Sequence, residues 1–362
     1  MSGMDWPRLA QHVWRDATPG ARAARAVLLA PAAVYRAGVA ARNAAYDRGL
    51  LVACRLPVAS LGVGNLAVGG VGKTPVAAYL ASELVRRGQR PGILLRGYAG
   101  GDEADEHRAR TPEAVVVADP DRRRGAEQAV AAGATVLVLD DCLQTRRVRP
   151  DLMVAVVAAE RAGERVHLLP AGPWREGLGA LGRCDGVVVS YKSAGAAAAE
   201  RAARELAPRT SGGWGAAAGL AIARLVPMGG GAAQPPSALD GRDVVALSGI
   251  GEPAAFERQL RALGARVQAL AHGDHHRYTA GEAAAAAARA GPAGLVVTTA
   301  KDAVRLAPVW PDDAVPCLIA ELAVQVTYGQ DDLSRLLDRL SRAAHAAPST
   351  AATVPRDGRT TP

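Results

Sequence analysis

From Pro57 onward, short apolar runs alternate with longer stretches whose apolar positions recur at helical spacing. Residues 58–63, 92–95, 114–118, 135–139, 152–158 and 186–190 read as buried strands, and residues 75–87 as a helix after the first of them. Strands alternating with helices predict an α/β fold: a parallel sheet with helices on both faces. A second, smaller α/β unit follows, with strands at 244–247, 266–270 and 295–299 and a helix at 253–263. Between the two, residues 211–236 are rich in Gly, Ala and Pro and read as a connection. The last residues, from about 346, are Pro/Thr/Arg-rich and read as a disordered tail. The resulting scheme is a helical segment at 1–50, a first domain at 51–210, a linker at 211–240, a second domain at 241–345 and a tail at 346–362.

The N-terminal segment breaks this pattern. Residues 26–35 are apolar, but Arg22, Arg25, Arg36 and Arg42 flank them, and the run falls short of the ~20 residues that span a bilayer. It lacks the layout of a signal peptide. Two readings stay open: a helix in a bilayer interface with Trp6 and Trp14 as anchors, or a helix packed on the protein's own core.

Composition narrows the classes. An apolar fraction of 49% supports real cores, although much of it is Ala and the only Phe is Phe256. The net charge of +8 suits phosphorylated ligands or an anionic membrane surface. No basic stripe with interleaved aromatics is present, which argues against nucleic acid. Cys54, Cys142, Cys184 and Cys317 are scattered without metal-ligand spacing and read as reduced thiols.

The chemistry enters at Gly69-Gly70-Val71-Gly72-Lys73-Thr74, between a predicted strand and a predicted helix. That context defines a Walker A loop: glycines let backbone N–H groups face phosphate, Lys73 neutralises charge, and Thr74 offers a hydroxyl to Mg²⁺. The strict pattern has its first Gly at position 67, where this chain has Ala67. Val136-Leu137-Val138-Leu139-Asp140-Asp141 reads as the matching Walker B strand, ending in carboxylates for Mg²⁺. Nucleotide binding follows, but not yet a reaction.

The flanks are more specific. The run from Val63 to Pro75, with Asn65 before the loop and Pro75 after it, resembles the phosphate loop of the tetraacyldisaccharide 4'-kinase family, which reads VGN-x-x-x-GG-x-GKTP. Further matches follow in order: Arg96-Gly97-Tyr98, Gly101-Asp102-Glu103, Asp121-Arg122, Asp140 to Gln144, Leu169 to Glu176, Ala246 to Gly251, Asp274-His275-His276 and Lys301-Asp302. Together they cover roughly residues 57–306.

The resemblance implies two α/β/α domains with an N-terminal membrane-facing helix, at the cytoplasmic face of the inner membrane of a Gram-negative bacterium. It implies transfer of the ATP γ-phosphate to the 4'-hydroxyl of a tetraacyldisaccharide 1-phosphate, with Mg²⁺. Carried over residue by residue, Asp102 is the base and His275 its partner, beside Lys73. Gly69, Gly70, Val71, Gly72, Lys73, Thr74 and Pro75 hold the nucleotide. Thr74, Asp140 and Asp141 hold the metal. Asn65, Tyr98, Glu103, Arg122, Gln144, Arg175, Glu176 and His276 face the substrate.

Around Asp102, residues Glu103, Asp105, Glu106 and His107 read as a polar loop. The His275-His276 doublet lacks a matching carboxylate or Cys spacing, so a metal site there is disfavoured. Departures from the family pattern are Ala104, Cys142, Thr145 and Ala300, and Cys142 stands where the family has a Gly with its special backbone freedom. The rival class is a membrane-associated switch ATPase acting through a protein partner. Such proteins carry an extra Lys at the position held here by Val68. A guanine-specifying Asn-Lys-x-Asp segment is absent, and no protein partner is evident.

Overall fold

Eleven strands form one sheet that runs through both predicted units. The computed structural model describes residues 18–97, 102–274 and 276–346, together with Ala10, Val13, Trp14 and, for Asp102, the backbone. The strands are β1 (Ser60–Asn65), β2 (Pro91–Leu95), β3 (Val115–Ala118), β4 (Val136–Leu139), β5 (Leu152–Ala158) and β6 (Gly186–Tyr191). They continue with β7 (Trp214–Pro227), β8 (Asp243–Ser248), β9 (Arg266–Ala271), β10 (Leu295–Thr299) and β11 (Cys317–Tyr328). Their order is β9-β8-β10-β11-β7-β6-β5-β1-β4-β2-β3, parallel throughout except for the long β7/β11 pair.

The helices are α1 (Pro19–Asp47), α2 (Lys73–Arg86), α3 (Asp102–Arg110), α4 (Arg122–Ala131), α5 (Ala196–Leu206), α6 (Pro253–Ala262), α7 (Ala280–Ala290), α8 (Ala300–Leu306) and α9 (Gln330–Ala346). On α2, Val76, Ala77, Leu80, Ala81 and Leu84 form one buried stripe at helical spacing. They pack on Val136, Val138, Val154 and Val156 of the central strands. The last helix, α9, adds Leu333, Leu336, Leu337 and Leu340 to this same core, each worth roughly 2 kcal/mol of burial.

Two expectations change here. The supposed linker holds β7, whose Ala216, Ala217 and Ala218 are fully buried, so its small residues serve close strand packing and not flexibility. Helix α9, assigned by sequence to the second domain, completes the core of the first. Arg87 seals that junction by donating to Asp338 and Ser334 of α9.

Helix α1 is 29 residues long, about 44 Å at 1.5 Å per residue. Among its residues only Ala21 and Ala32 are buried, while Val27, Leu29 and Val34 are 50–75% exposed. The alternative of a helix packed on the protein's own core does not hold. By length and composition the helix suffices to cross a bilayer. Trp14, considered as an interface anchor, donates instead to the carbonyl of Pro170, and Trp6 lies outside the described residues.

Candidate active site

The Walker loop leaves the carboxyl end of β1, the edge where open α/β sheets bind ligands. Gly72 precedes α2 with φ +80°, the left-handed region that favours glycine, and the end of the Leu220 side chain lies 2.3 Å from where a Cβ would sit. Ala67 bridges to Trp174 with an ordinary negative φ, which is why Ala is accepted at that position. The loop is braced from outside: Ser190 Oγ donates to Val71 O at 2.6 Å, and Lys192 Nζ to Gly70 O at 2.5 Å. Lys73, Thr74 and Pro75 face a cleft together with Glu103, Arg122, Asp140 and Asp141.

The two carboxylates after β4 have distinct settings. Asp140 is buried; its Oδ2 meets His107 Nε2 at 3.1 Å, and its backbone carbonyl accepts from Arg122 Nη2 at 2.5 Å. Its Oδ1 is buried without a hydrogen-bond partner among the described residues, an unspent ligand atom beside the phosphate loop. Burial alone would raise the Asp140 carboxyl, but the His107 hydrogen bond and charge outweigh it and hold it below the usual range. Asp141 has φ +51°, a left-handed turn that Asp tolerates, and its carboxylate reaches Lys73 Nζ at 3.5 Å and Arg175 Nη1 at 3.1 Å. Burial pushes Asp141 up, while Lys73 and Arg175 pull it further down, so it too stays ionised. These oxygens, with the Thr74 hydroxyl in the first turn of α2, fit a hard divalent cation.

Cys142 does not need the special angle expected of a Gly there; Asp141 makes the left-handed turn instead. The Cys142 side chain occupies space that exists because residue 62 is Gly, whose Cβ would sit 2.6 Å from Cys142 Sγ. Burial pushes the thiol up to about 12, so it acts as a neutral filler.

Several residues expected to face substrate are committed to the protein. Asn65 is fully buried; its Oδ1 accepts from Arg175 Nη2 at 2.5 Å and its Nδ2 donates to Ala67 O. Arg175 therefore holds Asp141 to the loop flank. Gln144 Nε2 donates to Asn65 O at 2.9 Å and lies 3.3 Å from Glu176. Glu176 is buried and paired with Arg183 at 2.9 Å, and it accepts from Asn43 of α1 at 2.8 Å. A chain of polar contacts thus runs from Lys73 through Asp141, Arg175, Asn65, Gln144 and Glu176 to α1.

The segment 102–110, expected as a polar loop, is α3, and it carries His107 inward with no exposure. Glu103 opens onto the cleft; partial desolvation by the cleft walls, then repulsion from Asp140, raise its carboxyl. Arg122, nearly sealed, lines the same cleft with Nε and Nη1 unspent among the described residues. Asp102 opens α3, but its side chain, Tyr98 and His275 lie outside the described residues. His276 turns to Glu282 at 3.1 Å, supplying the carboxylate that the sequence spacing had not revealed.

The opposite wall comes from the second half. Ile250, Gly251, Glu252, Asp274 and Lys301 line it, with Lys301 pairing to Asp274 at 3.4 Å. Glu252 contacts Lys192 at 3.3 Å and Arg161 at 3.8 Å, joining this wall to the Walker loop. Sequence reading missed Lys192, Glu252 and the role of His107. Lys192 had a signal, since it follows directly on the carboxyl end of β6. His107 had none, because α3 is too polar to show its buried face.

A Walker loop and acidic strand end on a mostly parallel sheet define a P-loop nucleotide-dependent enzyme. A family described as Tetraacyldisaccharide-1-P 4'-kinase matches residues 24–342. A tetraacyldisaccharide 4'-kinase of Anaeromyxobacter dehalogenans is 40% identical over 354 residues, covering 90% of this chain and 93% of the relative. One of Xanthomonas euvesicatoria is 37% identical over 352 residues, covering 91% and 95%. The crystal structure of LpxK from Aquifex aeolicus in complex with ATP superposes with a TM-score of 0.66 at 27% identity, covering 87% of this chain and 99% of that one. The chain belongs to the tetraacyldisaccharide 4'-kinase family.

Proposed function

We propose that this kinase transfers the γ-phosphate of ATP to the 4'-hydroxyl of a tetraacylated disaccharide 1-phosphate, yielding the bisphosphorylated lipid A precursor. The observation that carries the reading is the convergence of Lys73, Asp140 and Asp141 on one cleft of a chain with this family's ordered motifs.

The Walker loop amides and Lys73 bind and orient the β- and γ-phosphates. Thr74, Asp140 and Asp141 would hold Mg²⁺, which neutralises charge on the transferring group when bound. His107 and Arg175 keep the two carboxylates in place, and Arg122 offers unspent N–H groups to developing negative charge. A sugar hydroxyl is a weak nucleophile near neutral pH, so a base must take its proton as the new P–O bond forms. Asp102, by the family match, fills that role, with His275 orienting it.

The lipid end of the substrate fits the face along α1. A cavity of about 770 Å³ lies there, lined by Leu29, Ala32, Val39, Leu168 and Leu178, with Arg36 and Arg183 as cations. We assign it to acyl chains near an anionic membrane surface, presented by the exposed apolar face of α1. Supplying the lipid in detergent with labelled ATP, and following label into lipid, tests the whole reading. Hydrolysis without a labelled lipid would instead favour a switch ATPase.

A further inference from the structure

Beyond the kinase cleft, the turn after β9 and the first turn of α7 bring three metal-ligating side chains together. His276 Nε2 lies 3.1 Å from Glu282 Oε1, and His272 Nδ1 lies 3.9 Å from the same oxygen. One ligand atom from each residue falls within 4.8 Å of the other two. A tetrahedral ion with bonds of about 2.0–2.1 Å spaces its donors by about 3.3 Å, so the observed separations bracket that value. The imidazoles stack with centroids 4.3 Å apart and planes 18° apart, and Tyr278 stands edge-on to both.

Glu282 divides its carboxylate between two tasks. Oε2 accepts from Thr279 N at 2.8 Å and from Thr279 Oγ1 at 2.9 Å, closing the capping box of α7. Oε1 is turned to the histidines. All three side chains are about a quarter to a third exposed, so an ion and a completing water have access.

We propose that His272, His276 and Glu282 bind a divalent transition-metal ion, with Zn²⁺ the best fit. Two imidazole nitrogens and one carboxylate suit Zn²⁺, whereas Mg²⁺ favours oxygen ligands in an octahedron. Three protein ligands leave one position for water. The ion would tie the 272–276 segment to the start of α7. That segment contributes Asp274, which faces the nucleotide cleft and pairs with Lys301. Its occupancy therefore sets the order of one cleft wall, and the site stands independently of the phosphoryl-transfer reading.

The test uses the full chain without a polyhistidine tag, stripped with chelator and titrated with Zn²⁺ against a chromogenic competitor. One tight equivalent is expected, and His276→Ala and Glu282→Gln should each weaken it by at least about ten-fold. Glu282→Gln retains a capping-box residue, so its loss of metal cannot be ascribed to unfolding of α7. Co²⁺ in place of Zn²⁺ should give visible absorption bands that both substitutions abolish. The absence of a bound equivalent, or wild-type affinity in either variant, overturns the proposal.

Discussion

Lys73 Nζ stands 3.5 Å from Asp141 Oδ1, so the Walker lysine and the strand-end carboxylate are held in one charge contact. Arg175 grips the other oxygen of Asp141 at 3.1 Å. The cation proposed to bind phosphate and a carboxylate proposed to hold Mg²⁺ are thereby positioned together.

Replacing Lys73 with Ala removes the cation aimed at the β- and γ-phosphates. Transfer should fall by about 10²–10³-fold or more. Asp102→Ala should instead lower kcat while leaving ATP affinity within about two-fold, since a base acts on the acceptor hydroxyl. Steady-state kinetics alongside nucleotide binding separates the two, and full turnover in the Asp102 variant would move the base elsewhere.

Arg175 fixes Asp141 and Asn65 through two arms. Lys cannot reproduce that fork. Arg175→Lys should raise the Mg²⁺ concentration needed for half-maximal rate by about 10-fold or more, the scale of lost outer-sphere support. Rate against Mg²⁺ at saturating ATP measures it; an unchanged Mg²⁺ requirement would reduce Arg175 to a packing role.

The lowered carboxyls of Asp140 and Asp141 make a signed statement about pH. A group with a depressed folded pKa stabilises the fold fully above its unfolded value, about 3.9 for Asp, and loses that contribution as pH falls through the folded pKa. Below about pH 3.9 the unfolded chain binds more protons, so stability should drop there with falling pH. Asp141→Asn should flatten that slope in denaturant titrations between about pH 2 and about pH 5, the range that spans the unfolded value and the lowered folded one. An unchanged slope would show that Lys73 and Arg175 do not hold Asp141 down.

The exposed apolar face of α1 should seat the protein on lipid. Introducing Glu at Val27 and Val34, which are 75% and 74% exposed, costs no core packing. Each charge should oppose insertion by roughly 2 kcal/mol, weakening binding to anionic vesicles by more than about ten-fold. Vesicle flotation reads this directly, and undiminished flotation would place the membrane contact elsewhere.

The strands around the Walker loop were legible because β4 and β5 are continuous apolar runs, as buried parallel strands tend to be, and β1 carries Leu61 and Val63 shortly before the glycines of the loop. The phosphate loop was legible because its glycines and Lys73 are local in sequence. What stayed hidden is long-range. β7 looked like a linker because the first half of its buried face, Gly215 to Gly219, is Gly and Ala, and only its pairing with β6 and β11 reveals a strand. The engagement of Asn65 by Arg175, and of Glu176 by Asn43 and Arg183 at the edge of the α1 cavity, joins residues too far apart in sequence to be foreseen. His107 acts across the fold on Asp140, at a separation no local pattern encodes, whereas Lys192 showed only its place after a strand's carboxyl end and not its contact with Gly70.

Phosphoryl transfer to the distal sugar is read from the lipid product itself. Purified protein, Mg²⁺, ATP and a tetraacyldisaccharide 1-phosphate in detergent should yield a lipid heavier by one phosphate. Tandem mass spectrometry should place that phosphate on the distal sugar, and the Lys73→Ala variant should give none. ATP consumed with the lipid mass unchanged, or the phosphate found on the proximal sugar, would rule out 4'-phosphorylation by this chain.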